Sequence, residues 1–123
     1  MTDHVERLSR TSFFADAAPA QLAEVAAAGH ERDLVRGDVL FHEGDAPDAL
    51  YLVTRGRIAI AMSSPIDRRE SVVALMEPGD LFGDMGMLDD GPRSALARAL
   101  EPSAVLQIPF EPVRTLFNMP VPV

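Results

Sequence analysis

Apolar and polar positions alternate along this chain in two rhythms, and the change falls near residue 30. Before it, Val5, Leu8 and Phe13-Phe14 make an apolar stripe broken by Ser and Thr, so the first thirty residues read as helical. Ala18-Pro19 opens a second segment, with Pro19 at a first-turn position where its missing N–H costs nothing. Leu22, Val25 and Ala26 fall at i, i+3 and i+4 on one helix face, and Gly29 follows as a C-cap. This spacing predicts a helix over 19–28. From His30 the period becomes two. Leu34-Val35, Val39-Leu40-Phe41, Leu50-Tyr51-Leu52-Val53, Ile58-Ala59-Ile60-Ala61-Met62, Val72-Val73-Ala74-Leu75-Met76, Leu96 and Val105-Leu106-Gln107-Ile108 are short β-type runs. Turn signals separate them, among them Glu43-Gly44-Asp45, Arg55-Gly56, Glu77-Pro78-Gly79-Asp80 and Asp89-Asp90-Gly91-Pro92. Short strands at regular spacing with Gly/Pro turns predict an antiparallel sandwich or jelly roll. Phe110, Val113, Leu116 and Phe117 return to helical spacing, and Pro120 and Pro122 forbid that helix to continue. The expectation is a mainly β, antiparallel jelly roll of about eight strands with flanking N- and C-terminal helices.

Length and composition narrow the function classes. The 123 residues suit one domain, 1–123, with around two-thirds of the unfolded chain's surface buried on folding. No apolar run approaches the ~18–20 residues that cross a bilayer as a helix. Met1-Thr2-Asp3-His4-Val5-Glu6 lacks a basic region followed by an apolar one, so no secretory signal is read and the cytoplasm is the default location. Absence of cysteine removes disulfides, thiolate nucleophiles and Cys-ligated metals together. Eleven basic against nineteen acidic side chains leave a net charge of −8, which repels a phosphate backbone. The longest basic run is Arg68-Arg69, and the seven aromatics are scattered, so no duplex grip and no stacking platform is expected.

One stretch fits neither rhythm: Phe82-Gly83-Asp84-Met85-Gly86-Met87-Leu88-Asp89-Asp90-Gly91-Pro92-Arg93-Ser94-Ala95. A glycine-rich turn leading into a short helix exposes backbone N–H groups, which bind anions. Arg93 supplies a planar fork suited to phosphate, Ser94 a hydroxyl donor, and Asp84 an acceptor for a sugar hydroxyl. The stretch has no Gly-Lys-Ser/Thr and no βαβ unit around it, so it is neither a Walker loop nor a dinucleotide fingerprint. Chemistry alone leaves two readings: a site for a phosphorylated, hydroxyl-bearing small molecule, or a bulge and tight turn with Arg93 as a surface charge.

The same residues carry a resemblance. Residues 82–95 resemble the phosphate-binding cassette of cyclic-nucleotide-binding domains, closest to the catabolite-activator/FNR-type (CRP/FNR) regulators. That cassette runs Phe/Ile-Gly-Glu, an apolar stretch, then Pro-Arg-Ser/Thr-Ala. Gly37-Asp38-Val39-Leu40-Phe41-His42-Glu43-Gly44-Asp45, Leu50-Tyr51-Leu52-Val53-Thr54-Arg55-Gly56 and Pro78-Gly79-Asp80-Leu81-Phe82-Gly83 match further family segments in order, and similarity covers roughly residues 8–117. The resemblance implies a cyclic-nucleotide ligand, cAMP or a relative, and no other cofactor. Arg93 would pair with the cyclic phosphate, and Ser94 would donate its hydroxyl and backbone N–H to it. Gly83 would allow close approach, with neighbours such as Met85 offering backbone donors. Ile60 and Val73 would form apolar walls near the base. Asp84 stands where the family has a Glu that binds the ribose 2′-OH. It is one methylene shorter, about 1.3–1.5 Å less reach, so the pocket is read as under-reaching, with a rebuilt or degenerate pocket as the alternatives.

Other chemistries fit less well. His4, His30 and His42 lack the pairing of a cupin metal site, and Asp80, Asp84, Asp89 and Asp90 lack calcium-loop spacing, so no metal is expected. Ser63, Ser64, Ser71 and Ser94 sit in no nucleophile motif, so no enzyme is expected. Met76, Met85 and Met87 read as gap-filling core, and Phe117 and Met119 as exposed apolar residues. The reading is therefore the sensor part of a CRP/FNR-type transcription regulator. In it DNA is reached only through a C-terminal helix-turn-helix domain that these residues lack, no membrane is contacted, and a homodimer is compatible. The alternatives are a cyclic-nucleotide module controlling an enzyme or transporter, and a ligand-free interaction module.

Overall fold

The computed structural model describes residues 4–89 and 91–119. The turn residue Asp90, the helix-stopping Pro120 and Pro122, and the first three residues of the N-terminal reading lie outside them. The N-terminal segment up to residue 28 is helical in three pieces: α1 (His4–Ser9), a 3-10 turn (Ser12–Phe14) and α2 (Pro19–Ala28). Pro19 opens α2, the Gln21 side chain accepts from the Ala18 N–H at 3.0 Å, and Gly29 forms the C-cap. Eight strands follow: β1 (His30–Leu34), β2 (Val39–Phe41), β3 (Ala49–Arg55), β4 (Ile58–Ser63), β5 (Glu70–Met76), β6 (Leu81–Phe82), β7 (Leu96–Ala99) and β8 (Ser103–Pro109). A short α3 (Met85–Asp89) interrupts them, and α4 (Phe110–Leu116) closes the series.

The strands form two four-stranded sheets, β1-β8-β3-β6 and β2-β7-β4-β5, with every pair antiparallel. This is the expected jelly roll. The central strand β3 explains why its sequence is apolar at successive positions instead of alternating. Ala49, Tyr51 and Val53 face the other sheet, while Leu50 and Leu52 face a helical layer. In β8, Val105 faces inward, and Leu106 and Ile108 meet Leu8, Phe14, Leu22, Val25 and Val113 of the helices. Each fully buried leucine here is worth about 1.5–3 kcal/mol of transfer free energy, so the helices and the first sheet hold one another in place.

The aromatics scattered in sequence gather into two clusters. Phe13 and Phe14 meet Phe117 with centroids 5.3 and 6.0 Å apart, and Phe41, Tyr51 and Phe82 pack inside the sandwich. Met87 is buried in the core, whereas Met85 is 64 % exposed, which corrects the reading of Met85 as core. Met119 is half-buried against the helical layer, not exposed.

Candidate functional site

Two stretches that are separate in sequence lie side by side: Gly83-Asp84 leading into α3, and Pro92–Ala95 leading into β7. The Arg93 guanidinium ties them together, its Nη1 donating to the Gly83 carbonyl at 2.8 Å and its Nη2 to the Ala49 carbonyl. The Arg93 backbone is pinned as well. Its N–H donates to the Asp45 carbonyl at 2.8 Å, and its own carbonyl accepts from the Gly44 N–H at 2.7 Å. The β2–β3 turn is thereby stitched to the candidate site. Gly83 has φ +85°, and a Cβ there would sit 3.1 Å from Arg93 Nη1 and 3.3 Å from Tyr51 Cδ2. A glycine is required by both conformation and closeness.

Arg93 is only 7 % exposed. Its Cζ lies 4.2 Å from the centroid of the Phe41 ring, a cation–π contact. Among the described side chains no carboxylate comes within ion-pair distance of it. Burial pushes its pKa below the ordinary arginine value, opposed by the nearby Tyr51, Asp48 and Asp45. Burial likewise raises the Tyr51 phenol, with Arg93 drawing it back down. The raised phenol is therefore protonated at neutral pH, and a guanidinium is cationic in proteins.

In front of Arg93 lies a cavity of about 310 Å³. Gly83, Asp84, Met85, Arg93 and Ser94 all line it, so the structure brings these sequence candidates together. Ser94 is exposed, and neither its hydroxyl nor its N–H bonds within the described residues; the N–H groups of Gly83 and Asp84 are likewise unused. Asp84 is half-buried, and its carboxylate makes no hydrogen bond or ion pair among the described residues. Its backbone carbonyl accepts from the Met87 N–H at 3.0 Å. Ile60 of β4 lines the wall as expected, but Val73 does not. The β4–β5 ladder pairs Ile60 with Ala74 and Ala61 with Val72, leaving Val73 as the extra residue of a bulge, 57 % exposed. The resemblance that put Val73 on the wall fails here because Val73 points to the outward face of β5 shared with exposed Leu75, while Ala74 and Met76 turn inward. Met76 supplies the β5 wall instead.

Sequence reasoning missed Phe41, which is both cavity wall and platform for Arg93, as well as Met76. Phe41 has a partial signal, as the last residue of a short apolar run before Gly44, but nothing local links it to Arg93. Among the described residues no group of three His, Asp or Glu is placed to hold a metal ion. The arrangement offers a buried cation, unused N–H donors and a bare carboxylate at the cassette, and an apolar wall beside it. It can take an anion, a hydroxyl and a flat apolar ring in one ligand.

Comparison with known proteins agrees with this geometry. The family model described as "Cyclic nucleotide-binding domain" matches residues 31–119. A CRP-like cAMP-activated global transcriptional regulator of Mycobacterium tuberculosis is 33% identical over 95 residues, which cover 77% of this chain and 42% of that protein. An uncharacterised NTE family protein of the same organism is 33% identical over 111 residues, covering 89% of this chain and 18% of that protein. The chain thus spans less than half the length of these curated relatives. The solved N-terminal domain of a transcriptional regulator from Streptomyces coelicolor superposes with a TM-score of 0.80 at 38% identity, covering 91% of this chain and 79% of that one. Motif order, jelly-roll topology, cassette geometry and the extent of these matches lead to one assignment: this chain belongs to the cyclic nucleotide-binding domain family, in its CRP/FNR type.

Proposed function

We propose that this domain binds a cyclic nucleotide, with cAMP as the ligand, in the cavity at Arg93, and that it is the sensor part of a transcription regulator. In this reading Arg93 pairs with the cyclic phosphate, and Ser94 and the N–H groups of Gly83, Asp84 and Met85 complete the anion site. Asp84 faces the ribose, and Ile60 and Met76 flank the base. No catalytic step is assigned to the domain, and DNA contact belongs to another part of the regulator.

The observation that carries this reading is the Arg93 guanidinium. It is buried and stacked on Phe41, it donates to the Gly83 and Ala49 carbonyls beside the Tyr51 phenol, and among the described residues no carboxylate lies within ion-pair distance of it. Keeping a cation without a direct ion-pair partner out of water is costly, and an anion delivered from solvent offsets that cost. Carbonyl acceptors use only part of the guanidinium's donor set, so further N–H groups remain for phosphate oxygens. Calorimetric titration with cAMP tests the reading. Arg93→Ala should lose at least about 2 kcal/mol of binding, roughly thirtyfold, and Arg93→Lys should also bind more weakly because the fork is lost. Circular dichroism verifies that both variants are folded. Unchanged affinity in both would place the ligand elsewhere.

One observation supports a second reading. A segment matching nearly the whole chain occurs within a much longer NTE family protein, so the same sensor can also be joined to a different output. The nucleotide site is common to both readings.

A further inference from the structure

We infer that Phe41 is a positioning residue for this site: the π-face of its ring, acting through Arg93, holds the guanidinium where a cyclic phosphate meets it, so that aromatic character at position 41 sets nucleotide affinity. This rests on the proposed nucleotide site and assigns a part of it that lies outside the cassette. Phe41 ends β2, and β2 pairs with β7. An unbroken register from Val39 and Arg98 would set Phe41 opposite Leu96, but a shift between Val39 and Phe41 sets it opposite Ala97. Ala97 is fully buried in the same core, and its small methyl group leaves the ring room. The ring also meets Tyr51 and Phe82, with centroids 5.7 and 6.3 Å away, so its own position is fixed by packing.

Arg93 Cζ stands 4.2 Å from the Phe41 centroid, against 5.9 Å for Tyr51 and 5.8 Å for Phe110, so Phe41 is the principal aromatic partner of the cation. A ring engages the guanidinium through its flat face, whereas hydrogen bonds leave through its edge. Phe41 thus compensates the buried charge without occupying the N–H donors that a phosphate needs. A carboxylate in the same place would take those donors and neutralise the charge that draws the anion. A leucine would fill the space and supply no negative face. Both Phe41 and Arg93 are shielded from water, where a cation–π pair is stronger than at an exposed site.

Calorimetric titration of the full chain with cAMP tests this on Phe41→Leu, Phe41→Tyr and chains carrying mono- or trifluorophenylalanine at position 41, with folding checked by circular dichroism. Fluorine drains the ring face while nearly keeping its shape, so these chains decide the matter even if Phe41→Leu fails to fold. Val105→Ala is the control, since Val105 belongs to the same core and lines no part of the cavity. Affinity should fall about five- to thirtyfold in Phe41→Leu, and should fall progressively from one fluorine to three. Phe41→Tyr and Val105→Ala should stay within about threefold of the wild type. Affinity indifferent to fluorination, or an equal loss in Phe41→Leu and in either Phe41→Tyr or Val105→Ala, overturns the inference and leaves the nucleotide site standing. Silence of the wild type toward cAMP up to millimolar concentration, in protein shown to be folded, removes the proposed function and the inference with it.

Discussion

Asp84 is a half-buried carboxylate without a hydrogen-bond partner among the described residues, on the wall of the cavity in front of Arg93. A side chain kept for capping α3 would bond the N–H groups of that turn, and this one does not. Asp84→Ala should therefore leave the thermal unfolding midpoint nearly unchanged, whereas loss of a cap would lower stability by about 0.5–2 kcal/mol. The family Glu reaches one methylene further, so the wild type should bind cAMP and its 2′-deoxy analogue equally. Asp84→Glu should tighten cAMP alone, by at most about 1.5–3 kcal/mol, the value of a hydrogen bond to a charged group. A wild type that already prefers cAMP strongly over the deoxy analogue would contradict this. At this scale the sequence was most informative: Arg93, Ser94 and Gly83 were legible because phosphate chemistry confines its residues to a short stretch. Phe41 was not, since its role arises only when two distant segments fold together.

Among the elements, strands with long apolar runs such as β3, β4, β5 and β8 were legible, and strands without one were not. β7 reads Leu-Ala-Arg-Ala, and only small Ala97 and Ala99 enter the core, so its apolar signal shrinks to Leu96. Val73, carried over from the resemblance, lies instead on the outward face of β5 with Leu75, which an unbroken apolar run does not reveal. The β3–β4 turn was legible at Gly56, and the structure shows how tightly it is held. Gly56 has φ +81°, and a Cβ there would lie 2.1 Å from Ser103 Oγ and 2.6 Å from the Pro102 carbonyl. Buried Ser103 accepts from the Arg57 N–H at 3.1 Å and donates to the Glu101 carbonyl at 2.7 Å. Gly56→Ala must adopt a left-handed conformation, costing about 1–2 kcal/mol, and must also displace this hydroxyl. Denaturant unfolding should show a loss of about 2–4 kcal/mol, in the range of severe single substitutions. A loss below about 0.5 kcal/mol would mean that the turn rearranges freely.

For the whole molecule, architecture followed from rhythm and turns, while the division of β3 between two cores required the structure, because a run apolar on both faces has no period to read. Charge gives the clearest prediction at this scale. With a net −8 and six of its seven aromatics in or against its two cores, the chain alone should show no sequence-selective duplex binding in fluorescence anisotropy at physiological salt. A nanomolar, sequence-selective complex would oppose the sensor reading. The central claim, that a cyclic phosphate docks on Arg93, is tested most directly by a crystal structure of the chain with cAMP. The account predicts phosphate oxygens within hydrogen-bond distance of the Arg93 guanidinium and the Ser94 N–H, with the base against Ile60 and Met76. Nucleotide bound elsewhere, with Arg93 making only its carbonyl contacts to Gly83 and Ala49, would contradict it.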